Sequence, residues 1–150
     1  MAKRIIVQAP DPILYKKCRP VEVFDEKLHT LLDDMKETLL DADGAGLAAP
    51  QVAVLKRVCV VLTDDGYYEL VNPEIRSSSG EQTGIEGCLS VKGKYGTVTR
   101  AEKISVTAQD RYGKKHRYKV EGFTARAFQH EFDHLDGILY TSKCNDLKDE

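Results

Sequence analysis

The segment Gln129-His130-Glu131-Phe132-Asp133-His134 holds two histidines four positions apart, with a glutamate directly after the first. On a helix, residues at that spacing share one face, with Cβ atoms about 5–6 Å apart. Two imidazole nitrogens reaching from that face can each approach a single metal ion at about 2.0–2.1 Å. Glu131 lies one position round, so it borders the site without being a ligand. There it is placed to take a proton from a water on the metal and pass it on. The plain alternative is two satisfied histidines on an ordinary helix. It leaves unexplained why a glutamate occupies the one position this chemistry needs.

Two histidines do not complete a catalytic metal site, which usually has three protein ligands and one open position. The extended pattern H-E-x-x-H-x-x-G-x-x-H is matched as far as Gly137, but Tyr140 stands where its third histidine would be. Only ten residues follow Tyr140, so the missing ligand has to lie upstream. Glu86-Gly87-Cys88-Leu89-Ser90 is the best candidate. Gly87 lets the chain bend there, and a thiolate is a strong ligand for zinc or ferrous iron. Metal binding would deprotonate that thiol outright.

The elements that must position these groups are partly legible. Phe123 to Leu135 contains no Pro or Gly and reads as the helix carrying the histidines, with Gly137 at its stop. Pro10-Asp11-Pro12 reads as a turn followed by a short helical piece, Ile13 to Lys17. Asp25 is an N-cap for a long N-terminal helix in which Leu28, Leu31, Leu32, Met35 and Leu39 form an apolar stripe. His29 lies beside that stripe, structural or solvent-facing, and the helix should end near Asp43-Gly44.

Gly44-Ala45-Gly46-Leu47-Ala48-Ala49-Pro50-Gln51 follows, small and apolar. No Lys-Ser/Thr comes after it, so it is not a phosphate loop. Its glycines would let a ligand's backbone approach closely. Arg57 to Leu62 reads as a buried strand, Asp64-Asp65-Gly66 as a turn, and Tyr67 to Asn72 as the partner strand. Ser77-Ser78-Ser79-Gly80 reads as loop and Thr97 to Ala108 as one long strand. Tyr112-Gly113 turns the chain into Lys114 to Val120, leaving His116 exposed. The expected fold is α+β: mixed or antiparallel strands packed around the C-terminal helix, with the N-terminal helix as a second long one.

At 150 residues, without repeats or low-complexity stretches, residues 1–150 are expected to form a single domain. A net charge of −2 gives no general attraction to nucleic acid or to an anionic membrane. No apolar run approaches the roughly 18–20 residues a membrane span needs. The start, Met1-Ala2-Lys3-Arg4-Ile5-Ile6-Val7-Gln8, is too short in apolar residues for a secretory signal, so a mature cytoplasmic start is expected. Cys18, Cys59, Cys88 and Cys144 form no C-x-x-C pair, which fits a reducing compartment.

Taken together, the Gly44–Gln51, Glu86–Ser90 and Gln129–His134 motifs, in that order and spacing, resemble peptide deformylase. This is the hydrolase family that removes the formyl group from the N-terminal formyl-methionine of nascent proteins. The similarity runs through essentially the whole chain, and the spacing of the first two motifs matches the form without an insertion between them. The resemblance implies metal ligands Cys88, His130 and His134, with Glu131 as general acid/base. It also implies that the Gln51 amide and the Leu89 N–H stabilise the oxyanion, and that the substrate backbone lies beside Ala45, Gly46 and Gly87. The implied working metal is Fe2+, with Zn2+, Ni2+ or Co2+ as substitutes in purified protein. The implied partners are nascent formyl-methionyl peptides, with transient ribosome proximity and neither direct nucleic-acid nor membrane binding.

Three departures from the family pattern concern the substrate cleft. Ala45 replaces a bulkier aliphatic residue, Lys92 a common proline, and Tyr95 an arginine that some members carry. The tail from Lys143 to Glu150 is short and slightly acidic, unlike the longer basic C-terminal helix by which some relatives dock on the ribosome. We also expect Glu86 to pair with Arg100 and hold the Cys88 loop in register. The rival readings are a zinc endopeptidase, which lacks a downstream ligand here, and a non-catalytic metal-binding module, which has no use for Glu131 or Gln51.

Overall fold

The computed structural model describes residues 2–149; Met1 and Glu150, the outer ends of the start and tail read above, lie outside the described residues. Helix α1 (Glu26–Ala42) begins where the Asp25 side chain accepts from Leu28 N, and ends at Asp43 in the left-handed conformation. Strand β1 (Gly46–Ala48) and a 3-10 turn (Ala49–Val52) make up the small apolar segment. There follow β2 (Val58–Thr63), β3 (Gly66–Ser79), β4 (Gln82–Cys88), β5 (Val91–Arg100), β6 (Lys103–Gln109) and β7 (Lys115–Glu121). Helix α2 (Gly122–Leu135) and a short strand β8 (Lys148–Asp149) complete the chain.

The strands form two antiparallel sheets, one ordered β1-β2-β3-β6-β7 and one β4-β5-β8. The run Val58-Cys59-Val60-Val61 is apolar at every position because both faces of β2 are covered. Val58 and Val60 join Leu28, Leu31, Leu32, Met35 and Leu39 of α1 in one core. Cys59 and Val61 join Ala125, Phe128, Phe132 and Leu135 of α2 in another. Successive strand residues point to opposite faces, so a single strand serves both helices. This is the α+β arrangement expected, with α2 held against the sheet.

Several elements differ from the sequence reading. The short helical piece is a 3-10 turn at Pro12–Tyr15, starting earlier and ending sooner than Ile13 to Lys17. Ser77–Ser79 is not loop: it pairs with β6, Ser77 opposite Ser105 and Ser79 opposite Lys103. All three serines are exposed, so no apolar alternation betrays the strand. Thr97 to Ala108 is two strands in different sheets. They part at Ala101, whose N–H donates to Gln129 Oε1 (3.1 Å) and whose carbonyl accepts from Gln129 Nε2 (2.9 Å) and Gln82 Nε2 (3.1 Å). Side chains there replace the ladder. His116 is half-buried rather than exposed, its Nε2 2.8 Å from Asp110 Oδ2. His29 Nε2 is 2.8 Å from the Arg111 carbonyl, a structural role. The tail folds back along β5 as β8, with Lys94 paired to Asp149 and Asp146 accepting from Thr97 N (2.7 Å).

Candidate metal centre and active site

Cys88 closes β4 and the two histidines lie on the buried side of α2. A register shift between Glu86 and Cys88 makes Gly87 a bulge, which re-aims the cysteine away from the regular ladder. The result brings the distant thiol to the histidine pair. One donor atom from each of Cys88, His130 and His134 lies within 4.8 Å of the others, and Cys88 Sγ is 3.3 Å from His134 Nε2. Tyr140, at the position without a third histidine, stacks on His130 instead, with ring centroids 5.9 Å apart.

The surrounding polar groups set each orientation. His130 Nδ1 lies 2.8 Å from Glu86 Oε1. An ionised carboxylate only accepts, so that nitrogen carries the proton and Nε2 is left for a metal. Burial alone would raise the Glu86 carboxyl, but its bonds to Arg100 and His130 outweigh this and hold it well below the usual carboxylate range. Arg100 donates from Nε (2.6 Å) and Nη2 (2.8 Å), the pairing expected, and its Nη1 reaches Asp133 Oδ2 at 2.9 Å. Burial disfavours charge on His130, yet contacts to Cys88 and Glu86 pull it up to about 10, so without an ion Nε2 is protonated too and a metal binding there would release that proton. His134 moves the other way, pushed down by burial and by His130 beside it. Its Nδ1 is buried without a hydrogen-bond partner among the described residues.

Glu131 is buried, with Oε1 unpartnered among the described residues, and burial pushes its carboxyl up to about 7. Gln51 is almost fully buried. Its Oε1 accepts from Ala48 N (2.9 Å), which turns Nε2 toward Ser90 Oγ (3.0 Å) and Cys88 Sγ (3.6 Å). Leu89 follows Cys88 in the turn between β4 and β5. Its carbonyl accepts from Gln8 Nε2 (2.8 Å), and Ala9 N donates to Ser90 O (2.8 Å). The N-terminal segment therefore pins the Cys88 turn, a role that no pattern around Gln8 announces.

Gln51, Cys88, Leu89, His130 and Glu131 face a cleft of about 530 Å³. Ala45, Gly46 and Gly87 all line it, as does Lys92; Tyr95 is not among its lining residues, whereas Lys94 is. The cleft runs between β1 and β4, each the outermost strand of its sheet. Arg126, which the sequence reading passed over, is buried in its wall and donates to Glu86. A cation flanked by Ala125 and Ala127, one turn before His130, was the available clue.

A family model described as Polypeptide deformylase matches residues 3–150. Peptide deformylase 1 of Bacillus subtilis is 55% identical over 145 residues, covering 95% of this chain and 91% of that protein. Peptide deformylase of Caldicellulosiruptor bescii is 53% identical, covering 95% and 86%. Among solved structures, a peptide deformylase from Legionella pneumophila superposes with a TM-score of 0.92 at 48% identity, covering 96% of this chain and 87% of that one. That from Thermotoga maritima gives 0.94 at 37% identity, covering 97% and 100%. The chain therefore belongs to the polypeptide deformylase family, metal-dependent hydrolases that remove the N-terminal formyl group from nascent polypeptides.

Proposed function

We propose that Cys88 Sγ and the Nε2 atoms of His130 and His134 hold Fe2+, and that Glu131, Gln51 and Leu89 carry out deformylation of N-terminal formyl-methionine. The observation that supports this most is the donor set, one sulfur and two imidazole nitrogens converging within 4.8 Å beside an open cleft. Thiolate and imidazole suit both ferrous iron and zinc. The affinity order places Co2+, Ni2+ and Zn2+ above Fe2+, so these substitute in purified protein. A bound ion would supply Lewis acidity, making water acidic enough to act as a nucleophile near pH 7.

The chain's own residues do the rest. Glu131, whose carboxyl is held near neutrality by burial, takes the proton from the attacking water and delivers it to the departing amine nitrogen. Gln51 Nε2 and the Leu89 N–H donate to the formyl oxygen as charge builds on it. Formate and a free N-terminus result. The substrate backbone lies as an added strand between the β1 and β4 edges. The Ala45 carbonyl already accepts from Leu62 N (2.8 Å), so strand alternation turns the main-chain groups of Gly46 toward the cleft. Ala45 then borders the entrance and Gly87 forms the opposite wall.

Residues 1–150 act as one deformylase domain in this reading, supported by the way β1 and β2 feed both cores. The place of action is the cytoplasm, near the ribosome where formylated chains emerge. Four free cysteines fit a reducing compartment, and no helix among the described residues is long and apolar enough to cross a membrane. The decisive assay is formate release from formyl-Met-Ala-Ser by anaerobically prepared, iron-loaded protein. Release that stops with a chelator, and with Cys88→Ser together with loss of metal, is the expected result. Release indifferent to both would overturn the proposal.

A further inference from the structure

Glu86 receives more donors than any one helix or strand supplies. Oε2 accepts from Arg100 Nε and Arg126 Nη1, while Oε1 accepts from Arg100 Nη2 and lies 2.8 Å from His130 Nδ1. Arg126 is 5% exposed and one helical turn before His130. Its remaining N–H groups reach the Val98 carbonyl (3.1 Å), Gln82 Oε1 (3.2 Å) and the Gln82 carbonyl (3.3 Å). Gly84 leaves room for the guanidinium: a Cβ there would lie 3.4 Å from Nη2. One side chain thus joins β4, β5 and α2 around the carboxylate that orients a metal-site histidine.

A carboxylate gripped by Arg100 alone can pivot about that guanidinium. A second guanidinium, donating its Nη1–H to Oε2 from the helix, removes the freedom, so the Arg100 fork and this third charge-assisted bond hold the carboxylate in direction as well as in charge. We infer that Arg126 is a positioning residue for His130. Acting through Glu86, it fixes the acceptor of the Nδ1–H and so the direction in which Nε2 faces Cys88 and His134. This deepens the metal-cage reading and rests on it. Groups that orient a ligating histidine typically account for 10–100-fold in metal affinity. Were Arg126 only a staple between β4 and α2, its loss would lower thermal stability. Any effect of changing Arg126 on the affinity of the folded protein would then be the same whether residue 86 is Glu or Gln.

The test is a double-mutant cycle read by Co2+ affinity, from competition with a chelator at a temperature where circular dichroism shows every variant folded. Arg126→Met should weaken Co2+ binding 10–100-fold. Arg126→Lys should weaken it less, since an ammonium can keep one bond to Glu86 but not those to Gln82 and Val98. Glu86→Gln should weaken it as well, and Arg126→Met with Glu86→Gln should be no worse than the worse single change. The inference is overturned by Arg126→Met binding within twofold of the parent, or by a double variant whose loss equals the product of the single losses. If Arg126→Met does not fold, the Arg126→Lys and Glu86→Gln cycle decides by the same rule. A parent that takes up no Co2+, or takes it up equally after Cys88→Ser, overturns the cage reading and this inference with it.

Discussion

The α-carbon of Gly46 packs against the Glu131 carboxylate so closely that a Cβ built there would lie 2.5 Å from Glu131 Oε2 and 2.8 Å from its Cγ. Glycine at this position in β1 is therefore a condition for the glutamate's placement. Gly46→Ala should move the carboxylate and lower kcat by about 100-fold, the cost of an ångström-scale misplacement. Metal content should be unchanged. A kcat within threefold of the parent, with metal retained, would show that the contact does not set catalytic geometry.

Gln51→Leu should lower kcat about 10²–10³-fold, as expected for one lost oxyanion donor, with KM changing far less. It also strands the Ala48 N–H, which now donates to Gln51 Oε1. An unpaired buried donor costs about 1–3 kcal/mol, so the melting temperature should drop as well. Comparing kcat from formate release with the denaturant midpoint separates the two effects.

Asp34 ties the N-terminal segment to α1, accepting from Ala2 N (2.8 Å) and from Arg4 Nε (3.0 Å). Burial pushes its carboxyl up, but the Ala2 and Arg4 contacts prevail and hold it below the usual 3.8. A depressed folded-state pKa gives stability that is present above the unfolded value and lost as pH falls through the folded one. Asp34→Asn should therefore cost about 1 kcal/mol at pH 7, allowing for solvent screening, and progressively less below pH 3.8. Urea titrations across that range would reveal the converging curves, and a gap constant with pH would count against the assignment.

Removing the metal should lower thermal stability as well as activity, because an ion that binds only the folded chain adds RT ln(1 + [L]/Kd). That is about 4.1 kcal/mol at a thousandfold excess over Kd. Calorimetry with Co2+ titrated back should raise the melting temperature with concentration. Cys88→Ser should flatten that dependence.

What the sequence disclosed depended on whether a residue's environment leaves a pattern in the chain. Asp25 with the leucine stripe of α1, and the paired histidines of α2, combine local geometry with burial, and both were found at the right places. Strand β4 was not, because its one large apolar residue, Ile85, is 69% exposed and the rest of the strand, Cys88 apart, is polar or glycine. The break at Ala101 was hidden because its cause, the Gln129 side chain, comes from a helix 28 residues later. Gln8 and Arg126 were missed for the same reason: their partners at Leu89 and Glu86 are chosen by tertiary folding.

The shared strand between the two cores has a mechanical consequence. The seat of α2 is only as firm as the far side of β2, where α1 bears on Val58 and Val60. A void opened under Met35, remote from the metal site, would let the sheet relax toward it and loosen the grip on Phe128 and Phe132. Damage to the N-terminal helix should thus surface as imprecision at the histidines, long before the protein unfolds.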